Sequence, residues 1–130
     1  MLILIDTDVA IDLLRDHPEA LVWEQALDER DELAICGYTG IELIEGCANK
    51  LDTRRTLSFI NRFSVFWPLP EDWERVFETW PQARLSHGVS IGDMLIGECA
   101  KGLGVSLHTF NDKHFRAIPN LTLAQPYSRA

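Results

Sequence analysis

Three acidic residues occupy positions where carboxylates typically hold a metal ion or attack a phosphate. Asp6 directly follows the uninterrupted apolar run Leu2–Ile5, and Glu42 and Asp93 each lie near the start of a predicted helix. If the sheet is parallel, these ends meet at one edge, which faces the ligand crevice in open α/β sheets. Carboxylates gathered there repel one another unless a cation neutralises them. An oxygen-only set of ligands suits Mg²⁺ or Mn²⁺.

Helix capping is the simpler interpretation of two of these acids. Thr39 and Glu42 have the spacing of a capping box, and Ser90 and Asp93 repeat it. In that role each acid would contribute about 1 kcal/mol or less. Capping does not explain why a strand should end on Asp6, so the metal interpretation is favoured for the three acids together.

A third polar segment, His108–Phe115, follows a predicted strand near the end of the chain. It is expected at the same edge of the sheet as the acids. Within it, Asn111-Asp112 is by itself typical of a turn. Its position, not its composition, makes it a candidate part of the site.

Short apolar runs alternate with helical patterns along the chain, which predicts an α/β fold with a parallel sheet and helices on both faces. The predicted strands are Leu2–Ile5, Leu33–Cys36, Val65–Trp67, Val105–Thr109 and Leu121–Ala124. The predicted helices begin after Asp8 as N-cap, at Pro18, after Thr39 as N-cap, at Thr53, before Trp73 and after Ser90. Pro81 is expected to kink or end the fifth of them.

Length and composition predict one domain over residues 1–130. The chain has 46% hydrophobic and 25% charged residues, which is ordinary for a soluble globular protein. Its formal net charge is −8, from 12 basic and 20 acidic residues. That balance argues against binding nucleic acid by charge over the whole surface, although a local basic patch is compatible with it.

Cysteine usage and hydropathy predict a cytoplasmic protein. Cys36, Cys47 and Cys99 are odd in number and lack CxxC spacing, which favours buried free thiols in a reducing compartment. We identify no cleavable signal, because the apolar start is short and runs straight into Asp6. No stretch approaches the ~20 apolar residues of a membrane span, so no membrane association is expected.

Four motifs, in order and spacing, resemble the PIN domain family and in particular its VapC-type toxins. They are Ile5-Asp6-Thr7-Asp8-Val9 with Ile11–Leu14, then Ile41-Glu42-Leu43, Gly92–Ile96 and Leu107–Asn111, with Phe115–Leu121 as a fitting end. The resemblance covers nearly the whole chain. It implies a three-layer α/β/α sandwich with a largely parallel central sheet and an Mg²⁺- or Mn²⁺-dependent endoribonuclease, the toxin of a type II toxin–antitoxin system. It also implies a VapB-like antitoxin that blocks the site, a homodimer and a larger toxin–antitoxin complex.

The resemblance also assigns roles to individual residues. Asp6, Glu42 and Asp93 match the first three acids of the family. The fourth position falls on Asn111, where many members carry Asp; its amide oxygen can still coordinate an ion or orient a water, but it brings no charge. Asp112 would substitute if the turn directed it inward.

The mechanism that this implies is metal-assisted hydrolysis of a phosphodiester. Asp6 and Asp93 would hold the principal ion, and Glu42 would orient or deprotonate a water. Thr109 is a candidate to orient the site by a hydroxyl hydrogen bond.

An RNA substrate would need cations beside this acidic site. Each basic side chain nearby is otherwise a solvated surface charge. The candidates for contact with phosphates are Arg15, Lys50, Arg54, Arg55, Lys113, His114 and Arg116.

Two other interpretations stay open. In a phosphohydrolase of the haloacid dehalogenase type, Asp6 would be the nucleophile and Asp8 the acid, with Asp93 and Glu98 near the later metal motif; the lysine expected before that motif is missing. In a non-catalytic PIN-like protein-binding module, Asn111 and the aromatic stripe of Trp73 and Trp80 would serve a partner, but the three intact acids oppose this.

Overall fold

A five-stranded sheet of parallel strands forms the centre of the computed structural model, which describes residues 1–129. The strands are β1 (Leu2–Ile5), β2 (Glu32–Cys36), β3 (Ser64–Phe66), β4 (Leu107–His108) and β5 (Leu123–Ala124). Their order is β3-β2-β1-β4-β5, and every neighbouring pair is parallel. The order therefore reverses at β1, between β2 and β4, which is the point where open α/β sheets bind ligands.

Seven helices connect and cover the strands in the described part of the chain. They are α1 (Thr7–Leu14), α2 (Pro18–Gln25), α3 (Gly37–Glu45), α4 (Lys50–Ile60), α5 (Pro70–His87), α6 (Ile91–Leu103) and α7 (Asp112–Phe115). None of the helices within residues 1–129 combines the length and apolar character needed to traverse a bilayer.

The two faces of the sheet are covered by two separate apolar clusters. On one face Ile3, Ile5 and Ile35 pack with residues of α1 to α4. On the other, Leu4 and Leu107 pack with residues of α5, α6 and α7. Successive strand residues point to opposite faces, so an uninterrupted apolar run serves both clusters at once. The predicted three-layer α/β/α sandwich is confirmed, with a sheet that is parallel throughout.

Two predicted N-caps are wrong. The first is Asp6 and not Asp8, because α1 begins directly after β1 and Asp6 Oδ1 accepts a hydrogen bond from the Thr7 amide at 2.7 Å. The second is Cys36 and not Thr39, because α3 follows β2 without a loop and includes Thr39 in its first turn. The third, Ser90, is confirmed, since its hydroxyl accepts from the Asp93 amide at 3.1 Å.

Pro81, which was predicted to kink or end its helix, does not end it. Helix α5 continues through Pro81 to His87 and ends at Gly88, whose φ of 65° is the left-handed conformation typical of a helix C-terminus. A proline removes one backbone hydrogen bond, but the helix is packed along α6 by Val76 and Ala83, which lie in the same buried cluster as the α6 side chains. Tertiary packing therefore outweighs the local preference.

Strand register sets up the carboxyl edge of the sheet. Ile5 is paired with His108 across β1 and β4, so Asp6 and Thr109 follow as neighbours. On the other side Ile5 is paired with Ile35, which brings the start of α3 beside the start of α1. The first turns of these helices thus face one another at the switch point.

Candidate active site

Asp6 is buried at the centre of the carboxyl edge, with 4% of its surface exposed. Its Oδ1 accepts from the Thr7 amide at 2.7 Å, and its Oδ2 accepts from the Thr109 hydroxyl at 2.8 Å. These bonds fix the carboxyl group from both sides. Each oxygen keeps further lone-pair capacity for a ligand.

Glu42 reaches the same edge from α3. Its Oε1 accepts from the Thr7 hydroxyl at 2.7 Å, and that hydroxyl also lies 3.0 Å from the hydroxyl oxygen of Thr39. Thr7 therefore connects Asp6, through its amide, with Glu42, through its side chain. The sequence gives no signal for this bridge beyond the position of Thr7 after Asp6.

Asp93 lies in the first turn of α6 and faces the segment after β4. Its Oδ2 is 3.6 Å from Nδ1 of His114, and the same ring nitrogen is 3.1 Å from the side-chain nitrogen of Asn111. Asn111 thus contacts Asp93 indirectly, through His114. From the sequence, His114 is a candidate for contact with phosphates.

Asp112 is directed away from the acids. It is the first residue of α7, its side chain is 55% exposed, and it forms an ion pair with Arg116 at 2.8 Å. Asn111, by contrast, is anchored on the site side, since its amide donates to the Thr109 hydroxyl oxygen at 2.9 Å. Of the two residues proposed for the fourth position, the structure brings Asn111 to the site.

Asp8 is the acid that sequence reasoning missed by assigning it to capping. Its Oδ2 accepts from the Phe110 amide at 3.0 Å and lies 3.4 Å from the Thr109 hydroxyl. Its Oδ1 accepts from the Val9 amide at 2.7 Å. Asp8 therefore ties α1 to the segment after β4, and a second acid two residues after Asp6 was the available signal.

The acids perturb one another. Burial raises the pKa of Asp6 to about 8, and the charge of Asp8 and, more weakly, that of Asp93 add to the rise. Burial and then Asp93 raise the pKa of Glu42, against the hydrogen bond from Thr7. Burial also raises the pKa of Asp93, and His114 opposes this. Mutual repulsion of this kind is relieved by a bound cation.

The donor set fits a hard divalent cation in its chemistry, although its side chains are not gathered around one point. Asp6, Glu42 and Asp93 offer carboxylate oxygens and no sulfur, as Mg²⁺ and Mn²⁺ prefer. Within residues 1–129, no group of three or more His, Cys, Asp or Glu side chains is arranged to hold an ion as it stands. Glu42 accepts a hydrogen bond from Thr7, and Asp93 faces His114.

The fold and the edge together define an α/β/α domain with an acidic site at its topological switch point. Residues 3–121 match the family model described as "PIN domain", and the chain belongs to this family. This membership decides against the haloacid dehalogenase resemblance. Glu98, which that resemblance needed near Asp93, is instead buried in ion pairs with Arg75 and Lys101.

Solved structures of similar fold support the predicted likeness to VapC-type PIN domains. A chain of the DNA-bound VapBC from Salmonella typhimurium is 25% identical, with a TM-score of 0.79 over 97% of this chain and 99% of that chain. A chain of VapBC-1 from nontypeable Haemophilus influenzae is 24% identical, with a TM-score of 0.78 over 97% and 98%. A chain of VapBC2 from Rickettsia felis, bound to a promoter DNA fragment, is 21% identical, with a TM-score of 0.77 over 95% and 98%. No curated protein sequence matches this chain significantly.

Proposed function

We propose that this protein is an Mg²⁺- or Mn²⁺-dependent endoribonuclease and the toxin of a type II toxin–antitoxin system. The observation that carries the proposal is that Asp6, Glu42 and Asp93 all lie at the carboxyl edge of the sheet, where burial and the charges of neighbouring acids raise the pKa of each. Membership of the PIN domain family supports nuclease chemistry as the use of such a site.

Each side chain has a distinct role in this proposal. Asp6, held by the Thr109 hydroxyl, and Asp93, oriented by His114, hold the cation. Glu42 positions a water against the phosphorus and takes its proton. Asn111 keeps His114 in place through its side-chain amide. The cation, when bound, neutralises charge on the phosphoryl oxygens and lowers the pKa of water.

Partners follow from the same likeness. The three similar structures reported above are described as VapBC, and one from Klebsiella pneumoniae, 25% identical, is described as a toxin–antitoxin complex. These support a VapB-like antitoxin partner and a larger toxin–antitoxin complex. We further propose that the antitoxin blocks the site and that the toxin forms a homodimer. All three cysteines are free thiols in the structure, in agreement with a reducing, cytoplasmic location.

Replacement of Asp6 tests the proposed chemistry. Asp6→Asn keeps the size of the side chain and removes a cation ligand, so we expect cleavage of single-stranded RNA to fall below detection while the circular dichroism spectrum is unchanged. Chelation of divalent cations by EDTA should abolish wild-type cleavage, and added Mn²⁺ or Mg²⁺ should restore it.

Glu29→Gln is the matched control, because Glu29 is an exposed acid on a turn away from the carboxyl edge. It should cleave RNA at the wild-type rate. An Asp6→Asn variant that cleaves as fast as Glu29→Gln would remove Asp6 from the mechanism. Wild-type protein that binds an antitoxin but neither cleaves RNA nor binds Mn²⁺ in calorimetry would instead be a protein-binding module.

A further inference from the structure

A cavity of about 330 Å³ adjoins Glu42 between α1, α3 and α4. Both apolar and charged side chains line it. The lining residues include Ile11, Leu14 and Leu43 as apolar groups and Arg15, Asp52 and Arg55 as charged ones. Because Glu42 belongs both to this cavity and to the acidic edge, the cavity is a direct extension of the candidate active site.

The two arginines at the cavity lack protein partners, in contrast to most arginines of the chain. Those that form ion pairs with carboxylates are Arg30, Arg62, Arg75, Arg116 and Arg129. The guanidinium groups of Arg15 and Arg55 form no hydrogen bond, ion pair or ring contact within residues 1–129. The acid in the wall, Asp52, accepts from the Ala48 amide at 3.4 Å and is not paired with either guanidinium.

Free guanidinium groups are unusual in a chain of net charge −8, where 20 acidic residues compete for 12 basic ones. The lining also includes the acids Glu42 and Asp52, but neither is paired with a guanidinium, so both arginines are available to an anion from outside the protein. A planar guanidinium is suited to phosphate, which it binds through two parallel N–H···O bonds. The cavity therefore provides the cationic contact that a polyanion needs to approach the acidic edge.

We propose that this cavity is a phosphate subsite in which Arg15 and Arg55 hold the backbone of the RNA strand next to the phosphate cleaved at the acids. The inference rests on the proposed ribonuclease function. RNA is favoured over an acidic peptide because the cavity is continuous with Glu42, so that one strand spans both. The two arginines would contact phosphate oxygens, which carry no sequence information, so the subsite positions the strand and does not read its sequence.

Binding of a fluorescein-labelled single-stranded oligoribonucleotide, measured by anisotropy over a series of KCl concentrations, tests the subsite. The full chain carries Asp6→Asn to prevent cleavage. Adding Arg15→Gln and Arg55→Gln together should weaken binding about tenfold and reduce the slope of log K against log[KCl] by about 0.7 for each arginine. Arg55→Lys should keep the slope and lose part of the affinity, since charge remains but the bidentate fork does not.

A control variant removes one arginine charge elsewhere. Arg30→Gln changes an exposed arginine before β2, at the opposite edge of the sheet. It should leave the affinity within about twofold of the parent.

The outcomes separate this inference from the proposed function. Wild-type protein that cleaves RNA, together with a double variant that binds with the parent's affinity and slope, overturns the subsite alone. An equal loss in Arg30→Gln also overturns it, because net charge would then explain the effect. Wild-type protein that neither cleaves nor binds RNA overturns both.

Discussion

Asp6 is buried and held by two hydrogen bonds, so its orientation does not depend on a bound ion. This arrangement has a cost, because ionisation of Asp6 is opposed by burial and by the neighbouring Asp8. The arrangement that suits a cation therefore lowers the stability of the protein when no cation is bound. Such destabilisation is common at functional sites.

The cost predicts how stability depends on pH. The pKa of Asp6 rises from 3.8 to about 8 on folding, so between these values the folded protein retains a proton that the unfolded chain releases. The contribution of Asp6 is fully present below pH 3.8 and is lost as pH rises towards about 8. In EDTA, the melting temperature of Asp6→Asn relative to wild type should therefore increase from pH 4 to pH 8.

Thermal unfolding followed by circular dichroism measures this difference, and Glu29→Gln should show none that depends on pH. At pH 4 the asparagine variant should be no more stable than wild type, because it accepts hydrogen bonds through one oxygen where Asp6 uses two. A constant difference between Asp6→Asn and wild type across the pH range would contradict the raised pKa.

At the scale of elements, helices α5 and α6 are joined by a buried network of charges. Glu98 is fully buried on α6; it accepts from Arg75 Nε of α5 at 2.9 Å and from Lys101 Nζ at 2.8 Å. Arg75 also forms an ion pair with the buried Asp72. Gly102 leaves room for that carboxyl group, since a Cβ there would lie 2.4 Å from it. The network holds α5 against α6, the helix whose first turn carries Asp93.

Removal of the Arg75 side chain should therefore lower the free energy of unfolding substantially. Arg75→Met leaves Glu98 with Lys101 alone and Asp72 without its partner, and we expect a loss of about 2–4 kcal/mol in the free energy of unfolding. Arg30→Met, which breaks the exposed pair with Asp28, should cost much less than Arg75→Met. Urea unfolding of both variants measures the difference, and equal losses would show that the network contributes no more than a surface pair.

At the scale of the whole molecule, the C-terminal segment is tied back to the first helix. The Tyr127 hydroxyl donates to Asp12 Oδ2 at 2.7 Å, and Arg129 Nε donates to the same oxygen at 3.0 Å. The Arg129 guanidinium also lies 4.0 Å from the centroid of the Phe110 ring. The segment thus connects α1, which carries Asp8, with the residues that follow β4.

Loss of this connection should weaken the protein modestly. Tyr127→Phe removes the hydroxyl and leaves Asp12 with Arg129, so we expect a decrease of about 1–2 kcal/mol in the free energy of unfolding. Tyr38→Phe is the matched control, because no hydrogen bond of the Tyr38 hydroxyl occurs within the described residues, and it should cost less than about 0.5 kcal/mol. Chemical denaturation distinguishes the two, and equal stability of Tyr127→Phe and wild type would show that the tie contributes nothing.

The prediction of the fold succeeded where side-chain pattern is decisive. The run Leu2–Ile5 was identified to the residue, because a strand buried on both faces must be apolar throughout. The predicted helix starts at Asp8 and Thr39 were wrong, and α5 does not end at Pro81, because caps and prolines express local preferences that the neighbouring strand or helix overrides. The likeness to PIN domains is confirmed, whereas the roles of the individual site residues stay proposals.

By itself the sequence determined the alternation of strands and helices and the carboxylates that follow them. Residue types are sufficient for this, because the spacing of apolar residues shows which segments are buried and with what period. The tertiary structure alone decided which side chains meet. The structure places Asp8 and His114 at the candidate site, whereas Asp112 forms an ion pair with Arg116 instead. These contacts depend on strand register and on the direction of the short helix that follows β4. Only the structure likewise shows that the guanidinium groups of Arg15 and Arg55 are unpaired beside Glu42, since pairing depends on distances in space.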